Sequence, residues 1–153
     1  MSKYKEIDGN LLDLFDEGEF DVIAHGANCF STMGAGIAKQ IRERYPEAYY
    51  ADIYYSLNEE ERLGNFTCTS DGSIVNLYTQ YHPGANFCYS AFRLAIRKLE
   101  HYFGNKGYKF GFPMIGCGIG GGNWNKVKAI IQKELKDEDV TIVFYNEVEQ
   151  EKY

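Results

Sequence analysis

The chain has 153 residues, 44% of them hydrophobic and 25% charged, with 16 Gly and only 3 Pro. A chain of that length buries a core without a disulfide or metal staple, and with no apolar run near about 18 residues it excludes membrane spans, collagen-like repeats and wholesale disorder. Acids outnumber bases 22 to 16, for a formal charge of -6, and no segment concentrates Lys and Arg, which disfavours general nucleic-acid binding.

Residues 3–7 read as a first strand. Asp8-Gly9-Asn10 is the turn that ends it and caps a short helix through Leu11, Leu12, Leu14 and Phe15. Residues 21–25 read as a buried strand running directly into a loop of small residues over 26–36. Ile37, Ala38, Ile41 and Tyr45 then fall at helical spacing as far as Pro46, and residues 47–57 offer a second helix whose aromatic face carries Tyr49, Tyr50, Ile53, Tyr54 and Leu57. A hairpin follows, with strands at 65–69 and 73–80 around the Ser70-Asp71-Gly72 turn.

Residues 88–103 place Phe92, Ala95, Ile96, Leu99 and Phe103 on one helical face, and Gly104-Asn105 ends that helix as a left-handed cap would. A strand over 109–114 feeds a second glycine loop, residues 115–122. A helix over 123–135, a last strand over 140–145 and an acidic tail over 147–152, expected to fray, complete the chain. Strands alternating with helices, plus one hairpin, predict a three-layer α/β domain with a mixed sheet, undivided over residues 1–153. The polar N-terminus lacks the apolar stretch of a signal peptide, so a cytoplasmic location is expected. Cys29, Cys68, Cys88 and Cys117 are then thiols, since their spacing fits neither a CxxC redox pair nor zinc knuckles.

Eight of the 16 glycines lie in the two loops that follow strands: Gly26, Gly34, Gly36, Gly116, Gly118, Gly120, Gly121 and Gly122. Glycine costs conformational entropy, and that cost is easiest to explain where a ligand approaches the backbone or φ is positive. The implied ligand is a diphosphate held between two loops by amide groups. Neither loop carries the Lys-Ser or Lys-Thr of a P-loop, which argues against a magnesium-bound triphosphate. Gly116-Cys-Gly118-Ile-Gly-Gly121 also fits GxGxxG, but only one strand follows it, too few to complete a dinucleotide-binding Rossmann unit.

The segments Ile7-Asp8-Gly9-Asn10-Leu11, His25-Gly-Ala-Asn28-Cys-Phe-Ser-Thr-Met-Gly34-Ala-Gly36-Ile-Ala38 and Pro113-Met-Ile-Gly116-Cys-Gly118-Ile-Gly120-Gly-Gly-Asn-Trp124 together resemble the macrodomain family of ADP-ribose-binding modules. The resemblance covers nearly the whole chain. It is greatest to the branch containing ADP-ribose 1″-phosphate phosphatases and deADP-ribosylating hydrolases. It implies a three-layer α/β/α macrodomain with a central mixed sheet of about six strands.

The resemblance also assigns roles. The family's adenine-contacting Asp falls at Asn10, with Asp8 and Gly9 beside it, and its distal-ribose Asn at Asn28. The first diphosphate loop maps to Gly34, Ala35, Gly36, Ile37 and Ala38, and the second to Gly116, Cys117, Gly118, Ile119 and Gly120. Thr79 joins the ligand-binding set, and Tyr145 is the aromatic that packs on adenine.

The Lys and Asp of the branch that cleaves ADP-ribose from glutamate are missing, since Gln80 or Tyr81 and Gly120 stand in their places. Neither replacement forms a covalent sugar adduct or acts as an acid. The phosphatase branch instead matches His25 and Asp71, which become the candidate catalytic residues. His25 has the chemistry for proton transfer near neutral pH, and Asp71 is placed to orient it or a water.

The leading expectation is therefore hydrolysis of ADP-ribose 1″-phosphate to ADP-ribose. A non-catalytic ADP-ribose reader, or a hydrolase acting on ADP-ribosylated macromolecules through a diphosphate-positioned water, are the competing readings. No cofactor is expected. No His, Cys and acid set has metal-ligand spacing. The 81–86 loop is a candidate cover for the distal ribose, with His82 in it, and His101 is expected on a solvated helix flank.

Overall fold

In the computed structural model, which describes residues 3–145, six strands form one mixed sheet. These are β1 (Lys3–Gly9), β2 (Val22–Asn28), β3 (Phe66–Cys68), β4 (Ile74–Gln80), β5 (Lys109–Phe112) and β6 (Asp139–Tyr145), in the order β1-β6-β5-β2-β4-β3. Every neighbouring pair runs parallel except β3 against β4. The helices are α1 (Leu11–Asp16), α2 (Gly36–Arg44), α3 (Pro46–Ile53), α4 (Glu59–Arg62), α5 (Tyr89–Phe103) and α6 (Trp124–Glu134).

Side chains alternate across a strand, and β2 shows how this builds two cores. Val22 and Ala24 join Val75, Leu77, Phe92, Leu99 and Ile131 in a core beneath α5 and α6. Ile23 points the other way, with Ile74, Val143, Leu11, Ile41 and Ala48, into a core beneath α1, α2 and α3. The sheet is thus covered on both faces, which is why its parallel strands read as near-continuous apolar runs. On α5, Phe92, Ala95, Ile96 and Leu99 are fully buried, and each of the larger three contributes about 1.5–3 kcal/mol by leaving water.

The observed elements follow the predicted order, with four differences. β2 continues through Gly26, Ala27 and Asn28, residues read as loop, because Ala27 pairs with Tyr78 and, past a bulge, Asn28 with Gln80. α3 does not bury the predicted aromatic face: Tyr50 is 53% and Tyr54 80% exposed, while Ala48 and Asp52 are fully buried. α4 was not anticipated; Asn58 caps it by accepting from the Glu61 amide. After α5, the left-handed residue is Asn105 (φ 61°), whereas Gly104 is extended. Gly104 is needed for space, since a Cβ there would collide with the Glu100 carbonyl. The acidic segment at 147–152 lies outside the described residues.

Candidate functional site

Five parallel strands end at one edge of the sheet, and the main cleft opens there, beyond Asn28 of β2, Gln80 of β4 and Phe112 of β5. Ligands of open α/β sheets bind in this position. One cavity, of about 390 Å³, is bordered by Gly34, Ala35, Gly36, Ile37 and Ala38 on one side and by Gly116, Gly118, Ile119 and Gly120 on the other. A second, of about 920 Å³, is lined by Asn10, Cys117, Phe144 and Tyr145 and shares Gly36, Ile37, Pro113, Met114 and Gly118 with the first. The two therefore form one elongated cleft that passes these five shared residues.

The first loop is held in place by side chains. Asn28 Oδ1 accepts from the Phe30 amide at 2.9 Å, and its Nδ2 donates to Thr32 Oγ1 at 2.7 Å. Arg42 donates to the Thr32 carbonyl at 3.1 Å. Ser31 and Met33 take positive φ, 58° and 38°, a strain that the surrounding hydrogen bonds must offset. The loop delivers the chain into α2, whose N-cap, Ala35, provides no side-chain hydrogen bond and whose first turn carries no acid. Its first-turn amides at Gly36, Ile37 and Ala38 thus face the cavity with the positive end of the helix dipole behind them.

The second loop is curled on itself. The Gly122 amide donates to the Gly116 carbonyl at 2.6 Å, and Gly121 to Gly118 at 3.2 Å. Gly116 has φ 76° and lies against the Phe87 ring, leaving no room for a Cβ, and a Cβ on Gly120 or Gly122 would press on the Gly116 carbonyl. By contrast, a Cβ on Gly36 or Gly118 would meet no protein atom within 4 Å, and one on Gly34 only the Thr32 carbonyl at 3.7 Å. Gly34, Gly36 and Gly118 are bare toward the cleft, whereas Gly116, Gly120 and Gly122 are bare for one another.

Most of the predicted ligand residues come together here. Asn28, Gly34, Ala35, Gly36, Ile37, Ala38, Thr79, Gly116, Gly118, Ile119 and Gly120 line the first cavity. Asn10, Cys117 and Tyr145 line the second. Asn10 also caps α1, with Oδ1 accepting from the Asp13 amide at 3.0 Å, and so turns its amide nitrogen to other uses. Asp8 and Gly9 belong to β1, paired with Phe144 and Tyr145 of β6, and line neither cavity.

The two catalytic candidates are not brought to the cleft. His25 shares the parity of Ile23, so its ring points into the core under α3 and is completely buried. Asn76 donates its amide to the Ala48 carbonyl and Thr67 Oγ1, which turns its Oδ1 to His25 Nε2 at 2.6 Å and places the proton on that nitrogen. Burial pushes the His25 pKa down to about 4, so the ring is neutral at pH 7 and out of reach of a ligand. Asp71 sits in the β3–β4 turn, at the start of β4 and hence the far end of that strand from Gln80. Its Oδ1 accepts from Ser73 N and Oγ and from Thr69 Oγ1, contacts that hold the carboxyl below its ordinary range.

Gln80 donates to the carbonyls of His82 and Gly84 and so pins the 81–86 loop. Pro83 and Gly84 of that loop border the cavity. His82 does not, being stacked on Phe30 with centroids 5.3 Å apart. The sequence reading missed Asp52, a buried acid on the cavity wall, and its neighbour Arg62. The available signal was spacing: Asp52 lies one helical turn from the buried Ala48.

The Macro domain family profile matches residues 24–131, and the chain belongs to that family. It is 36% identical over 148 residues to the "Uncharacterized 17.5 kDa protein in tk-vs intergenic region" of Enterobacteria phage T4, covering 91% of this chain and 94% of that one. Identity to the ADP-ribose glycohydrolase OARD1 of Bos taurus is 26%, over 87% of this chain and 86% of that one.

A stretch of 68 residues is 38% identical to an ADP-ribose 1″-phosphate phosphatase of Aspergillus oryzae, covering 44% of this chain and 31% of that protein. Among solved structures, the macrodomain of Thermus aquaticus DarG superposes with a TM-score of 0.76 at 22% identity, covering 95% of this chain and 99% of that one. A Trypanosoma brucei macrodomain in complex with ADP-ribose gives 0.69 at 16% identity, over 99% and 67% of the two chains. Among the described residues no helix is long and apolar enough to cross a membrane.

Proposed function

We propose that this protein binds ADP-ribose, free or as the modification of a macromolecule. One observation carries the reading: the uncapped start of α2 and the 116–120 loop face each other across a single cavity, with no side chain at Gly34, Gly36 or Gly118 to fill it. A pyrophosphate suits that gap, because main-chain amides and a helix dipole favour an anion without needing a lysine. The nucleobase then falls in the larger cavity beside Asn10, Phe144 and Tyr145, and the distal ribose at the end bordered by Asn28, Thr79 and Gln80. Calorimetric titration with ADP-ribose is the test: saturable one-to-one binding is expected, and an absence of heat at millimolar ligand removes the reading.

A second reading, removal of the phosphate from ADP-ribose 1″-phosphate, is favoured by the stretch shared with the Aspergillus phosphatase. In that reaction water attacks phosphorus, the bond to the 1″ oxygen breaks and a proton reaches the leaving oxygen. His25 and Asp71 cannot take part from where they stand, so the chemistry would fall to polar groups on the cavity wall. Phosphate release from ADP-ribose 1″-phosphate separates this reading from binding alone.

A further inference from the structure

Asp52 of α3 is fully buried, yet it belongs to the wall of the first cavity. Its two carboxylate oxygens are treated differently. Oδ1 accepts from Tyr78 Oη at 2.6 Å and Ser31 Oγ at 3.2 Å, and the Arg62 guanidinium stands 4.0 Å away. Oδ2 is buried and has no hydrogen-bond partner. A buried carboxylate oxygen left without a donor carries its full desolvation penalty, so such an atom in a folded protein calls for an explanation.

Arg62 does not supply that donor. It divides its nitrogens among the carbonyls of Leu57, Cys29 and Tyr55 and the Ser31 hydroxyl. Neighbouring polar side chains at this end of the cavity are also occupied: the Asn28 amide bridges Phe30 and Thr32, and Gln80 Nε2 serves His82 and Gly84. Thr79 Oγ1 and Gln80 Oε1 also belong to this wall, but Asp52 Oδ2 is the acceptor there that is buried and has no donor in the structure. Burial raises the Asp52 pKa, and Tyr78, Ser31 and Arg62 oppose that shift; as a carboxylate, Oδ2 only accepts, so it attracts a hydroxyl, which brings its own proton, and repels the unprotonated oxygens of a phosphate.

We propose that Asp52 reads a hydroxyl of the ligand's sugar through Oδ2 and thereby fixes which way round the nucleotide lies, sugar toward α3 and pyrophosphate toward α2. The inference rests on the ADP-ribose reading and adds to it a specificity-determining residue. Ser31, held at positive φ between Arg62 and Asp52, couples this acid to the first loop, so the hydroxyl contact and the loop's shape depend on the same group.

The test compares two ligands, ADP-ribose and ADP, which lacks the distal sugar, on wild type and Asp52→Asn. Loss of a charge-assisted hydrogen bond should weaken ADP-ribose about tenfold or more while ADP affinity stays within about twofold. A parallel loss for both ligands marks Asp52 as structural only and overturns the proposal, as does unchanged affinity for both. A wild-type chain that binds neither nucleotide overturns the ADP-ribose reading and takes this inference with it. Should Asp52→Asn fail to fold, wild type decides with ADP-ribose analogues that each lack one distal hydroxyl. One of them should bind about tenfold more weakly, and equal affinity for all of them overturns the proposal.

Discussion

The two glycine loops look alike in sequence and are built on opposite principles. The segment between β2 and α2, residues 29–35, is held by side chains outside it, Asn28, Arg42, Arg62 and Asp52, and so can leave Gly34 and Gly36 facing open space. The 116–122 loop is held from within, its glycines stacked on one another's main chain and on Phe87. A glycine in such a loop therefore marks either the approach of a ligand or the approach of another piece of backbone. Only the space around it distinguishes the two.

The sharpest separation comes from Gly116→Val. Its side chain would occupy the Phe87 ring at a φ of 76°, and overpacking plus left-handed strain should cost about 2–5 kcal/mol of stability. A thermal melt that does not move would show that the second loop is not internally locked.

Next in size is an acid effect on the side of the first loop, where β2 carries buried His25, whereas β5 buries Phe110, Gly111 and Phe112. The His25 pKa falls from an ordinary 6.5 to about 4 on folding. Between those values the unfolded chain binds the extra proton, so stability is present above pH 6.5 and is lost as pH falls toward 4. The loss is about 3 kcal/mol in all. In His25→Gln the part of the drop in melting temperature between pH 6.5 and 4.5 that comes from this group should vanish, and an unchanged slope would assign it elsewhere.

Gly118→Leu probes the cleft without touching the fold. With no protein atom near its Cβ, stability should stay within about 0.5 kcal/mol, while ADP-ribose affinity falls by about tenfold or more, about 1.4 kcal/mol. Smallest is Asp71→Ala, which removes the bonds to Thr69 and Ser73. The cost is about 1 kcal/mol of stability, with ADP-ribose affinity and any phosphate release unchanged. A loss of either would return Asp71 to the site.

The fold was legible because its signals are local. Alternation and apolar runs marked every strand of the sheet, and the helical face of α5 was readable from Phe92, Ala95, Ile96 and Leu99. The loops that border the cleft were legible for the same reason: Gly34 to Ala38 and Gly116 to Gly120 lie in glycine-rich stretches between a strand and the next helix.

What was not legible depends on where a strand's side chains turn. His25 was read as a lip residue because β2 seemed to end there. Three further residues of strand and the parity shared with Ile23 place it inside the core. Asp71 looked available because nothing in the sequence tells which end of the sheet a hairpin turn occupies. Asp52 was hidden among tyrosines, since the helix over 47–57 was read from its aromatic face, and Tyr50 and Tyr54 of that face are exposed.

The pairing of β1 with β6, Lys3 opposite Asp139 through Gly9 opposite Tyr145, bears on how the molecule comes into being. β1 is synthesised ahead of the rest of this sheet and finds its neighbour only when residue 145 has followed it, and such long-range pairings form slowly. The chamber walled by Asn10 and Tyr145 is the last part of the cleft to close. A nascent chain therefore has the strands and helix that flank the first cavity, β2, α2 and β5, before it has the far wall of the second.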